Sequence, residues 1–187
     1  YDSSVVHSVD VVLELLKSLE PVPGLGVGDT AEPLAHTLRP PCTLRDLQAF
    51  PHVPAALQDF WCRTAGAQLF EDTTYGQWGL ILHSPSAAWE ATHDYLAARP
   101  SEARAGDLVI GAFLGDCDLL IVRADPQAVD EGQVMIATPL DDRQDWSLVG
   151  KDFTTFLHQY VQARGCKFWE GSAEAFHRPE AQEGAGK

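Results

Sequence analysis

A chain of 187 residues, 45% of them apolar, suits one domain with a buried core and excludes a wholly disordered polymer. Its 27 acids against 13 bases give a net charge of −14, which repels phosphate backbones and makes nucleic acid an unexpected ligand. No apolar run approaches the roughly 18 residues of a membrane span, and no signal peptide is visible. The expectation is a cytoplasmic protein with no membrane association. The chain begins with Tyr1 and not Met, so the missing signal peptide says little about what precedes it.

The first segment has Val5, Val9, Val12, Leu13, Leu16 and Leu19 near helical spacing, with Ser3 or Ser4 as a cap and Pro21 and Pro23 as a stop. Residues 20–42 are rich in Pro and Gly and read as loop. They contain GLGVGD at 24–29, which lacks the preceding strand, the following helix and the GK[ST] that a phosphate loop requires. Thr43 suits the cap of a short turn through Phe50. Pro54 suits the first position of a helix carrying Leu57, Phe60, Trp61 and Thr64, with Gly66 as its stop.

In AQLFEDTTYGQWGLILHS the polar middle, Glu71 to Gly76, reads as a loop, and Trp78 to His83 as a strand. A helix with Trp89, His93 and Leu96 follows Ser84-Pro85-Ser86 and ends before Pro100. Two apolar runs, 108–114 and 118–123, flank the Gly115–Asp118 turn, and Gly132 to Thr138 adds another strand. A last helix from about Lys151 to Arg164 buries Phe153, Phe156, Leu157, Tyr160 and Val161, and Gly165 ends it. The strands follow one another without intervening helices in the middle of the chain. The expected architecture is therefore α+β, a single domain with a mostly antiparallel central sheet and helices packed against it. The domain spans 1–169, and 170–187 is a loose tail.

Chemistry is hard to find. The chain has no GxSxG, no HExxH and no cysteine in a catalytic setting. Cys42, Cys62, Cys117 and Cys166 form no CxxC or zinc spacing, and read as isolated, mostly buried thiols of a reducing compartment. Of seven scattered histidines, His93 on its helix reads as a partly buried imidazole, and His83 at a strand end is the better placed for function. No catalytic, cofactor or metal residue is assigned.

The acids are more informative. Residues 107–145 hold nine acids against Arg123 and Arg143, a net of −7 within 39 residues. Most stand at turns and strand ends, so one rim of the sheet should be negative and suited to a basic protein. Asp116 and Asp118, one residue apart, read as a hairpin tip that carries acid to solvent. With Asp141, Asp142 and Asp145 they also leave open a divalent-metal site and hence a metal-dependent enzyme. Glu71, Asp72 and Tyr75 place an aromatic beside acids on a loop, a pattern common at binding hot spots, whereas Trp78 at the strand start reads as an anchor. The partner-binding set is Glu71, Asp72, Tyr75, Asp116, Asp118, Asp141 and Asp142.

The order of these motifs resembles the SUKH superfamily. PHVPAALQDFWCRTAGAQLFEDTTYGQWGLILHSP is similar to that family's helix–Gly–acidic-loop–strand opening, and DLVIGAFLGDCDLLIVRADP to its central hairpin. Gly132 to Ile136, Asp145-Trp146 and the Phe153–Phe156–Leu157 helix resemble its closing section. The family usually has Asn before the helix-ending glycine, where this chain has Ala65. The resemblance covers roughly Val5 to Val161 and is firmest over 52–160. It implies a non-enzymatic binding domain without cofactor. Bacterial members are mostly immunity proteins that neutralise toxins, many of them basic nucleases. Fungal members of the Smi/Knr group are scaffolds or regulators of cell-wall assembly.

Overall fold

The computed structural model describes residues 8–19, 22–23 and 33–170. Its elements in chain order are α1 (Val9–Ser18), β1 (Val22–Pro23), β2 (Pro33–Leu38), a 3-10 helix (Leu44–Leu47), α2 (Ala55–Trp61), β3 (Ala67–Asp72), β4 (Leu80–Leu82), α3 (Pro85–Ala98), β5 (Asp107–Phe113), β6 (Leu119–Arg123), β7 (Val134–Ala137), a second 3-10 helix (Arg143–Asp145), β8 (Ser147–Gly150) and α4 (Phe153–Gln162). The strands form one eight-stranded antiparallel sheet in which each pairs with its neighbour in the chain. This is the expected α+β domain with helices against an antiparallel sheet, but the strands do not follow one another without helices: α2 stands between β2 and β3, and α3 between β4 and β5.

Strand alternation splits the core in two. Leu120 and Val122 of β6, with Val134 and Ile136 of β7, join the main cluster with α1, α2 and α4. Ile121 and Ala137 point the other way and pack with Tyr95 of α3 and Trp146. α1 buries Val9, Val12, Leu13 and Leu16, the i, i+3, i+4, i+7 stripe of an amphipathic helix. Its cap is Ser8, whose hydroxyl accepts from Val11 N. That is a turn later than Ser3 or Ser4, which lie outside the described residues, as do GLGVGD and residues 171–187. α4 buries all five expected residues, is capped by Asp152, and ends at Gln162, with Gly165 at φ +80 in the turn beyond it. Tyr160 stacks on Phe156 at 5.7 Å and meets Phe70 edge-on at 5.5 Å.

Other sequence expectations change. Residues 20–42 are not all loop, because β1 and β2 form the outer pair of the sheet. The edge strand β1 tolerates Pro23, and Pro33 stands at the first position of β2, the places in a sheet where a missing backbone donor is accepted. AQLFED is a strand, β3, that the broken alternation hid: Leu69 and Phe70 are adjacent and both buried. Between Ala35↔Glu71 and Thr37↔Gln68, β2 supplies one residue and β3 two, so a bulge sits there. Phe70 takes φ +51, and its N–H, lost to the ladder, is accepted by His36 Nδ1 at 3.1 Å. α2 ends at Trp61, well before Gly66. Gly66 instead takes φ +115 where an added Cβ would lie 2.8 Å from Leu82 O, so it serves the approach of β3 to β4. α3 forms as expected, burying Ala88, Thr92 and Tyr95 and leaving Trp89 and Leu96 38% and 40% exposed.

Candidate functional site

In a meander, alternate turns share an end of the sheet. The β3–β4 and β5–β6 turns are therefore neighbours: Leu114 N donates to Gly79 O at 2.9 Å. Asp72 organises the first turn by accepting from Thr74 N and Tyr75 N at 2.9 and 3.1 Å, and Tyr75 stands 78% exposed beyond it. Glu71 is half-buried and carries no ion pair among the described residues. Trp78 packs partly on the core as expected, with its Nε1 buried and without a partner.

The second turn corrects the sequence reading. Phe113 N donates to Asp118 O, so the tip is Leu114 to Cys117 and Asp118 stands at the strand base. Asp118 is 5% exposed, so it does not carry acid to solvent. Lys167 donates to Asp118 at 2.7 Å and to Asp116 at 2.6 Å, lies 3.3 Å from Glu170, and sits over the Phe113 ring at 5.3 Å. Burial opposes the Lys167 charge, but the hydrogen bonds to Asp116 and Asp118 outweigh it and raise its pKa. The chain thus neutralises the proposed acid pair from within.

Asp141 and Asp142 do not join this cluster. Arg99, at the C-terminus of α3, donates to Thr138 O at 2.8 Å and Asp141 O at 3.0 Å. The Asp141 carboxylate accepts from Thr138 Oγ1 at 2.6 Å, and Trp146 Nε1 reaches Asp141 O at 3.1 Å. Asp142 precedes the second 3-10 helix and is exposed. The guanidinium groups of Arg99 and Arg143 both lie over the Trp146 ring, at 5.3 and 5.1 Å. Arg143 continues inward to Asp107, which also accepts from Arg123 at 2.6 Å, Tyr95 Oη at 3.1 Å and Arg104 N at 2.8 Å. Asp107 is 4% exposed and so does not contribute to the negative rim. Burial pushes its pKa up, but the donors from Arg143, Arg104 and Arg123 prevail and hold it below the ordinary carboxylate value.

The opposite end of the sheet is different. The short 3-10 helix, fixed by a reciprocal Thr43–Asp46 capping box, presents Phe50 against Trp89 edge-on at 5.5 Å and against Trp61 at 5.6 Å. His52 bridges to Glu131 at 2.9 Å. Open grooves of about 360, 450 and 620 Å³ surround Phe50. Their linings include Asp46, Glu90, Asp125 and Glu131, and no Lys or Arg among the described residues. Sequence reasoning missed this end. A signal was available: Ala88–Thr92–Tyr95 and Trp89–His93–Leu96 have the same i, i+4, i+7 spacing, so periodicity alone leaves open which stripe is buried. The bonds from Thr92 Oγ1 to Ala88 O and from Val109 N to Thr92 Oγ1 favour the first stripe by satisfying the threonine inside.

The remaining candidates carry little chemistry. His93 is exposed and not partly buried, with Nδ1 at 2.9 Å from Trp89 O. Burial lowers the His83 pKa, and the Arg39 charge adds to this. All four cysteines are free thiols; none is buried as expected, and Cys117 is exposed at the turn. Among the described residues no group of three or more His, Cys, Asp or Glu could hold a metal ion, and no helix is long and apolar enough to cross a membrane. In comparisons with known proteins, no family model and no curated sequence matches the chain.

Proposed function

We propose that this chain is a non-enzymatic protein-binding domain, an immunity protein of the SUKH type that captures and neutralises a basic toxin. The observation that carries the reading is the unequal fate of the acids. Asp107, Asp116 and Asp118 are met by internal cations, whereas Glu71, Glu90, Asp94, Asp125, Asp142 and Asp145 carry no ion pair among the described residues. An uncompensated negative surface attracts a basic protein, speeds their encounter and disfavours nucleic acid. The motif order that resembles the SUKH superfamily supplies the toxin class. The absence of a metal-ligand cluster among the described residues gives a metal-dependent enzyme no support.

The test begins with capture of partners by the tagged chain from its native host, identified by mass spectrometry. Association of the partner so identified is then measured at two salt concentrations. The expected partner is basic, and it associates more slowly at high salt and with a Glu71→Lys, Glu90→Lys, Asp142→Lys variant. Association that is indifferent to both changes removes the electrostatic basis of the proposal.

A further inference from the structure

We propose that the Phe50–Trp89 ridge and its two flanking grooves are the docking surface for a basic protein segment. That segment would insert an apolar side chain beside the rings and place Lys or Arg on the surrounding acids. The inference rests on the protein-binding reading above and adds where the partner lies and what it presents.

Three observations converge on this surface. The first is the exposed stripe of α3. Trp89 is 38% and Leu96 40% exposed, and His93 lies between them with its ring 4.6 Å from Trp89. A partly wet Trp on a helix that already buries its other face is a large apolar anchor still available for contact. The second is order. Phe50 is held against both Trp61 and Trp89, and the turn before it is fixed by the Thr43–Asp46 box. A surface set before binding loses little side-chain freedom on contact. The third is charge. Glu90 and Asp94 are the only charged residues of α3, and Asp46 and Asp125 line the grooves on either side of the ridge. Arg45 and Arg104 adjoin lining residues in the chain but do not line these grooves. The occupant that complements an apolar ridge between carboxylates is basic with an apolar anchor. An acidic or purely polar segment would leave one of the two features unmatched.

Two of the acids expected from sequence to bind, Asp116 and Asp118, are poor rivals for this role, because both are met by Lys167. Among the described residues Tyr75 and Phe168 are the other exposed aromatics, and Tyr75 stands at the other end of the sheet.

The experiment is a titration of the isotope-labelled full chain with a ten-residue synthetic peptide of Lys and Arg with one Leu and one Phe, followed by amide and indole resonances. Two control peptides replace every base by Glu, or both apolar residues by Ser. The expected result is saturable shifts at Phe50, Glu90 and the Trp89 indole with the first peptide alone. Affinity should fall about tenfold in Trp89→Ala and in a Glu90→Lys, Asp125→Lys variant. The charge variant alters exposed or half-exposed positions, so it separates loss of binding from loss of fold. Shifts confined to Glu71–Tyr75, equal binding of the Ser-containing peptide, or no saturable shift at Phe50 and Trp89 would each overturn the inference. Shifts at the Tyr75 end would leave the protein-binding reading standing. Absence of peptide binding together with failure to capture a basic partner from the host would remove both.

Discussion

The turns around Asp116 and Asp118 and the opposite end around Asp46, Glu90 and Asp125 carry similar acids, but different groups meet them. At the first end Lys167, distant in sequence, folds across and neutralises the pair. At the second, no Lys or Arg among the described residues lines the grooves, and two aromatic rings stand among the carboxylates. A carboxylate at a turn is therefore not by itself a binding group. Its burial, and any cation that another part of the chain supplies, decide whether it serves the fold or a partner.

The strongest way to sharpen this contrast is to break the internal neutralisation. Asp107→Ala leaves Arg123 and Arg143, with side chains 5% and 11% exposed, without their shared carboxylate. It should lower stability by about 3–5 kcal/mol, read as a lower urea midpoint at unchanged slope. The wild-type counterpart is acid titration. The folded pKa of Asp107 lies below its ordinary value of 3.8, so its contribution is present above that pH and lost as pH falls toward the folded value. Lys167→Met keeps the apolar stem and removes the charge. With Asp118 left buried and unpaired, the expected loss is about 2–3 kcal/mol. An unchanged midpoint would mean that Lys167 does not hold this end together.

Backbone substitutions probe the same end at smaller scale. Gly115 has φ +93, and a Cβ there would lie 2.4 Å from Gln77 O, whereas Gly76 has φ +65 and open space. Gly115→Ala should cost roughly 2 kcal/mol or more and Gly76→Ala about 1 kcal/mol. Equal costs would show that the two turns do not press together. The smallest change is expected at the exposed aromatic. Tyr75→Ser should alter stability by less than about 0.5 kcal/mol, and any effect on partner association would return that loop to the binding surface.

The legible parts of the chain were those where one local rule decided. Phe153, Phe156, Leu157, Tyr160 and Val161 define α4 because no competing stripe exists. Thr43 and Asp46 announce their turn by side-chain chemistry. β3 was hidden because the bulge at Phe70 makes two neighbours face one core, and that depends on the His36 imidazole accepting a stray N–H. α3 is legible as a helix, but its buried face is not, since two stripes share its spacing. For the site, the acids could be counted, but Lys167 as the partner of Asp116 and Asp118 could not be found without the fold. The Phe50–Trp89 contact likewise joins segments that no local pattern relates.

The meander has a kinetic consequence. Every strand pairs with its chain neighbour, and the β3–β4, β5–β6, β6–β7 and β7–β8 hairpins close over short spans, whereas α2 and α3 lengthen the β2–β3 and β4–β5 connections. The packing of α1 on α4 spans furthest, since it joins the first helix to the last. That contact has the largest closure entropy, so it belongs late on the folding path. Trimming Val12, fully buried in α1, should then hasten unfolding while leaving the folding rate nearly untouched. The first helix acts as the latch that sets how long the folded state lasts.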